Sequence, residues 1–198
     1  MALYHFSVRH VSRGKGQMVV ASAAYISGQR IFDSYYNKIH DYTSKSGVIF
    51  TEILTPEYVP ERLTDRETLW NEVEHVERNN KAQLAYSFDI ALQNELTLEE
   101  NIKLAKEFCQ EQFVARGMIV DLAVHEGKSD NEEEPDNPHF HVLVPIRPFT
   151  EEGIWGNKQR REYILDEDGN RVKDAKGKEM FNAVSTTGWN DPELLKEW

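Results

Sequence analysis

The chain has 198 residues, 39% of them hydrophobic, with a formal net charge of −11; this suffices for one buried core, and no apolar run approaches the roughly 20 residues of a membrane-spanning helix. The Met1 end lacks the basic-then-apolar pattern of a signal peptide, so a cytoplasmic protein without membrane insertion is expected. A single cysteine, Cys109, excludes an intrachain disulfide and a Cys-rich zinc site, which leaves His and carboxylates to hold any metal.

Taken in chain order, "LYHFSVRHV" alternates as a strand, with Tyr4, Phe6 and Val8 on one face and His5, Ser7 and Arg9 on the other. After the turn "RGKGQ", the stretch "MVVASAAYISGQRI" predicts a helix in which the neighbours of Tyr25 are Ala21, Ser22 and Gly28, so little bulk shields its ring. "SGVIFTEIL" is a second strand. Capping boxes at Thr64–Glu67 and Thr97–Glu100 open two helices, the first burying Leu69, Trp70, Val73 and Val76, the second Leu98, Ile102, Ala105 and Phe113. Between them "LAYSFDIAL" alternates, with Ala85, Ser87, Asp89 and Ala91 sharing one face. "GMIVDLAVH" is apolar on both faces apart from Asp121 and His125 and predicts a central strand. The acidic loop "EGKSDNEEEPDNP" then leads to the strand "HFHVLVPIR". "YILDEDGNRV" predicts a second hairpin with an Asp-Gly-Asn turn, and "WNDPELLKEW" the opening of a helix. A chain stopping there reads as the N-terminal part of something longer.

His139 and His141 are i and i+2 on a strand, hence on one face. A lone strand histidine is ordinarily a satisfied ring, and H-x-H alone is a weak signal. If the two strands joined by the acidic loop pair antiparallel, however, His125 arrives opposite His139 and three imidazoles converge. Three His with an open position form the ligand set of a catalytic metal. The polar positions His5, Ser7, Arg9, Ser87, Asp89, Asp121, His125, His139 and His141 all interrupt apolar alternation, which suggests one polar functional face and one core face. The helix that follows the first strand would carry Tyr25 toward that polar face, where a tyrosine beside a metal is a nucleophile candidate.

The net charge argues against nucleic acid bound over the whole surface, but its distribution does not. Residues 61–138 hold nineteen acidic and eight basic side chains, whereas residues 1–60 hold four acidic and six basic. Arg9, Arg13, Lys15 and Arg30 flank the Tyr25 helix, and Lys158, Arg160 and Arg161 form another basic cluster; each is a candidate phosphate contact.

The stretches "MALYHFSVRHVSR", "SAAYISGQRI", "LWNEVEHVERNNKAQLA", "LAKEFCQEQF", "GMIVDLAVH", "NPHFHVLV" and "WNDPELLKEW" together resemble the MobA/MobL (MobQ-type) relaxases of the HUH endonuclease superfamily, over nearly the whole chain. The resemblance implies an α+β fold with a central antiparallel sheet of about five strands flanked by helices. Residues 1–198 would form one relaxase (nickase) domain, the N-terminal part of a longer bacterial cytoplasmic protein. It implies nicking of one DNA strand at an origin of transfer, with Tyr25 as nucleophile forming a 5′-phosphotyrosyl adduct. His125, His139 and His141 would hold a divalent metal, Mn²⁺ or Mg²⁺, with Zn²⁺ also admissible. Partners would be single-stranded or hairpin DNA at the origin, a coupling protein and a type IV secretion machinery. One departure concerns the base: where the family carries an Ala-Arg-Glu run, this chain has Ala85, Tyr86 and Ser87. Asp89, two residues along on the same face, is the substitute candidate, with Glu74 and Glu77 behind it. A replication-initiator nickase of the same superfamily and a non-cleaving DNA-hairpin-binding module are the alternatives.

Overall fold

The structure is a computed structural model that describes residues 5–128 and 136–189. It divides into two compact units, Met1–Trp155 and Gly156–Trp198.

In the first unit, strand β1 (Phe6–Ser12) leads through a 3₁₀ turn into helix α1 (Val19–Ser27). The small and apolar side chains of α1 let it sink into the protein, with Val19, Val20, Ala23, Ala24 and Ile26 buried and Tyr25 left exposed. The helix stops short of the expected run to Ile31 because Gly28 adopts φ +62°, a left-handed cap at which a Cβ would press on Val48 Cγ2 at 3.2 Å. The chain turns instead into the hairpin β2 (Arg30–Asp33) and β3 (Lys38–Asp41), two strands too short to announce themselves by alternation.

β4 (Val48–Leu54) and α2 (Arg66–Val76) follow. The cap of α2 is Asp65 rather than Thr64: its carboxylate accepts the Thr68 N–H at 2.8 Å, while the Thr64 hydroxyl donates to the Glu61 carbonyl and Glu67 accepts the Phe32 N–H. A carboxylate at a helix N-terminus gains from the dipole as well as the hydrogen bond, so it outcompetes the neighbouring hydroxyl. Leu69, Trp70 and Val73 are buried as expected, Val76 only partly, and Arg66 and Glu74 join them. After β5 (Gln83–Ala91), helix α3 (Leu98–Gln112) opens on the expected Thr97–Glu100 capping box. Its buried stripe is Asn101, Ala105 and Cys109; Leu98 is exposed and Ile102 half-buried, while Phe113, just past the helix end, is fully buried. β6 (Val120–His125) and β7 (His139–Pro145) complete the unit.

Five strands form one antiparallel sheet in the order β1-β5-β7-β6-β4, flanked by three helices, the α+β architecture expected. β6 is an interior strand, although β7 holds the middle. Pairing fixes the faces: Val11, Ala85, Leu143 and Ala123 belong to the core cluster that also contains the apolar residues of α1 and α2. The alternate residues Phe88 and Phe140 meet Phe113 and Phe108 at the α3 side.

The expectation of one wholly polar face needs correction. Asp121 lies on the α1/α2 side but is completely buried, bound by Arg66 Nε and Nη2 at 2.9 Å and by the Trp70 indole N–H at 2.7 Å. A buried carboxylate persists only when paired and hydrogen-bonded, and α2 supplies all of its donors. This face is therefore core where α1 and α2 cover it, and polar at the histidine end and along Ser7, Arg9, Ser87 and Asp89 of β1 and β5. Arg66→Ala, which strands the buried carboxylate, should lower unfolding stability by about 3–5 kcal/mol in urea denaturation; a loss within experimental error would refute a structural role for the pair.

In the second unit, β8 (Gln159–Tyr163) pairs antiparallel with β9 (Phe181–Ser185). The expected Asp-Gly-Asn turn is present, with Gly169 at φ +81° and the Asp166 N–H bonded to the Asn170 carbonyl at 2.9 Å. Its flanks share only the bridge Leu165–Arg171. The helix expected in "WNDPELLKEW" and most of the acidic loop lie outside the described residues. Among the described residues no helix is long and apolar enough to cross a membrane.

Candidate metal and nucleophile site

The register of β6 and β7 sets His125 directly opposite His139, while His141 faces Ala123 on the same side. The loop between the strands is closed by the Asn137 N–H donating to the Gly127 carbonyl at 2.8 Å. Gly127 has φ +61°, and a Cβ there would collide with the Asn137 carbonyl, so the closure needs glycine. The three rings stand 4.7–5.2 Å apart between centroids. One ligand nitrogen from each lies within 4.8 Å of the others, a separation at which a single ion could be held.

Hydrogen bonds select the tautomers. His125 Nε2–H donates to the Ile26 carbonyl at 2.7 Å, which leaves Nδ1 with its lone pair; His139 Nδ1–H donates to the Asn137 carbonyl at 2.8 Å, which leaves Nε2. Carbonyl partners of this kind orient metal-binding imidazoles. His141 Nδ1 faces the Asp89 carboxylate at 4.0 Å. Burial, the largest cause, holds His125 and His141 at about 4, so both are neutral near pH 7, the form a metal requires. Three imidazoles, of which burial keeps His125 and His141 neutral and backbone carbonyls orient His125 and His139, fit a divalent ion. Since an unfolded His titrates near ~6.5, the unfolded chain binds more protons than the folded one between roughly pH 6.5 and 4, and stability falls as pH is lowered through that window. For the metal-free chain we expect a thermal midpoint that drops steadily from pH 7 to pH 5; a flat profile would show that the imidazoles stay hydrated.

Tyr25 projects from α1, 49% exposed, one residue before the carbonyl that binds His125. Its ring contacts Tyr42 edge-on at 5.4 Å. It borders a cleft of about 420 Å³ that Asp89, His141, Ser7, Ser87 and Arg9 also line. The α1 side of this cleft is formed by Ala21 and Ser22, the small neighbours seen in the sequence. The structure thus brings together Tyr25, Asp89, one triad histidine and one candidate phosphate contact. Glu74 and Glu77 do not line the cleft: both are buried, and Glu74 accepts the Val19 N–H at 3.2 Å while Glu77 bonds Arg147 at 3.0 Å.

The other basic candidates fare differently. Arg13 is corrected outright: it is buried, with its guanidinium on the Glu74 carboxylate at 2.8 Å and on the carbonyls of Glu77 and Asn79, so no donor face is left for a phosphate. The sequence showed only a basic residue beside a turn; its distant partner on α2 was invisible. Lys15 is exposed, and Arg30 is exposed 3.6 Å from Asp41. In the second unit Arg160 pairs with Glu162 at 2.8 Å and Arg161 stacks over Phe181 at 4.7 Å, and both are exposed. Lys158 precedes β8, its carbonyl accepting the Thr186 N–H at 3.0 Å. Two side chains at the site went unnoticed in the sequence, Tyr42 and Lys45, because they belong to a loop without periodicity.

Residues 17–198 match the model of the MobA/MobL family. The chain is 35% identical over 96% of its length to the conjugal transfer protein TraA of Agrobacterium fabrum, of which it spans 18%, and 36% identical over 87% of its length to a probable mobilization protein MobA of Bifidobacterium longum, of which it spans 30%. A solved structure from work on the molecular basis of vancomycin resistance transfer in Staphylococcus aureus superposes with a TM-score of 0.80 at 34% identity, covering 100% of this chain and 87% of that one. The chain spans less than a third of these two curated relatives, and on the strength of the family match over nearly all of its residues it belongs to the MobA/MobL family.

Proposed function

We propose that the chain is a relaxase that nicks one DNA strand at the origin of transfer of a plasmid or other mobile element and later rejoins it, in support of conjugative mobilisation. The observation that carries this reading is the shared cleft: Tyr25 and His141 of the three-histidine cluster line the same cavity. The names of the relatives, conjugal transfer and mobilization proteins, agree with it.

In the proposed reaction Tyr25 Oη attacks the scissile phosphorus as the bond from phosphorus to the 3′ oxygen breaks, leaving a 5′-phosphotyrosyl adduct and a free 3′ end. The phenolic proton passes to Asp89, which lines the cleft with it, and the departing 3′ oxygen takes up a proton from water. His125, His139 and His141 would hold a divalent ion, which when bound supplies Lewis-acid stabilisation of the phosphate oxygens and the departing oxygen. Three imidazoles without a carboxylate favour Mn²⁺ or Zn²⁺ over Mg²⁺, which takes oxygen ligands. Arg9, inside the cleft, holds the phosphate backbone nearest the reaction, with Lys15 and Arg30 of the same unit as flanking contacts; Lys158, Arg160 and Arg161 of the second unit are further contacts to the origin DNA. A coupling protein and a type IV secretion machinery in a bacterial cytoplasm complete the setting.

The test is incubation of the purified chain with Mn²⁺ and a labelled single-stranded oligonucleotide spanning the origin of the element that encodes it, followed by denaturing electrophoresis. A nicked strand accompanied by a protein–DNA adduct supports the reading. Tight binding without either product would identify a non-cleaving DNA-binding module.

A further inference from the structure

The loop joining β3 to β4 holds a cation against the proposed nucleophile. Lys45 Nζ lies 3.7 Å from the centroid of the Tyr25 ring and donates to the Tyr25 carbonyl at 3.1 Å. Its placement is over-determined. The Lys45 N–H closes a turn onto the Tyr42 carbonyl at 2.9 Å, Tyr42 itself contacts the Tyr25 ring, and the Tyr42 N–H is anchored to the Gln29 carbonyl just past α1 at 3.2 Å. At the far end of the loop the Gly47 carbonyl accepts the Glu126 N–H at 2.9 Å, beside His125. One six-residue segment is thus tied both to the helix that carries the tyrosine and to the strand that carries a metal-binding histidine.

We infer that Lys45 is a positioning residue for the nicking reaction, locking the Tyr25 ring in place and stabilising the negative charge that spreads into that ring as the phenol ionises. This rests on the reading of Tyr25 as nucleophile. The attraction between an ammonium and an aromatic face is electrostatic and grows with desolvation. A phenolate delocalises its charge into the ring, so the contact is stronger in the attacking state than in the resting phenol, which is the condition for an interaction to raise kcat rather than affinity. Lys45 is partly withdrawn from water, and burial lowers its pKa, consistent with a charge whose partners are protein groups. Its field also disfavours protonation of His125 and His141.

The experiment measures single-turnover nicking at saturating oligonucleotide, with Mn²⁺, for wild type, Lys45→Met, Lys45→Arg and Tyr25→Phe, together with the dissociation constant for the oligonucleotide. Lys45→Met should slow nicking about ten- to thirtyfold with binding unchanged, and Lys45→Arg, which keeps a cation able to stack on the ring, should recover most of the rate. A wild-type rate in Lys45→Met overturns the inference. So does weakened binding with an unchanged saturated rate, which would make Lys45 a DNA phosphate contact, or an equal rate loss in both lysine variants, which would make the side chain merely structural. Nicking by Tyr25→Phe would instead overturn the assignment of the nucleophile, a separate failure read from a separate protein.

Discussion

Replacement of Tyr25 by Phe is expected to abolish nicking and the covalent protein–DNA adduct together, a loss of about 10³-fold or more. The substitution is informative because it removes one oxygen and little else. The ring of Tyr25 meets Tyr42 edge-on and lies under Lys45, and both contacts are made by the aromatic face or edge, which Phe retains. Tyr25 is half exposed, so no buried hydroxyl partner is stranded by the change, and folding should be unaffected. Nothing else in the cleft offers an equivalent nucleophile: Ser7, Ser22 and Ser87 line it, but an alkoxide is far harder to form than a phenolate, and Tyr42 is less exposed than Tyr25, with its ring packed edge-on against it. Gel detection of the adduct with wild-type and variant chains checks the result. Survival of the adduct in Tyr25→Phe would move the nucleophile elsewhere, with Tyr42 the first residue to test.

The double replacement His139→Ala and His141→Ala should remove metal-dependent cleavage entirely and reduce metal affinity by more than about 10³-fold, since loss of a single outer-shell partner already costs 10–100-fold. Both residues lie on β7, the middle strand, and neither ring is fully buried, so their truncation leaves the sheet and its apolar neighbours Phe140 and Val142 in place. His125 would remain, hydrogen-bonded to the Ile26 carbonyl, but one imidazole does not retain a labile ion. Metal content after dialysis, with far-UV circular dichroism to confirm folding, measures the effect. An undiminished metal stoichiometry would defeat the assignment of the site.

Much of this was legible from local pattern. Strand alternation and the offset of two in "HFH" put His139 and His141 on one face, and an antiparallel hairpin across the loop predicted His125 opposite His139; the register is His125↔His139. The Thr97–Glu100 cap and the Asp-Gly-Asn turn were visible for the same reason, because each is written in residues close together in the chain, while the five-strand antiparallel sheet was what the family resemblance implied. Local rivalry defeated other readings. Asp65 displaced Thr64 as a cap one residue away, and Gly28 stopped a helix whose apolar pattern ran on.

Other features depend on residues far apart in sequence. Arg13 looked like a phosphate contact until Glu74, 61 positions away, claimed its guanidinium. Asp121 looked like part of a functional face until Arg66 and Trp70 on α2 buried it. Lys45 carried no signal in a polar loop, yet packing laid it on Tyr25. Composition, periodicity and cap chemistry are properties of a short window, so they establish the elements and which side chains share a face. Which charge meets which partner, and so whether a basic or acidic residue serves the core or the site, is settled when distant segments exclude water from one another, because only then does an ion pair replace hydration.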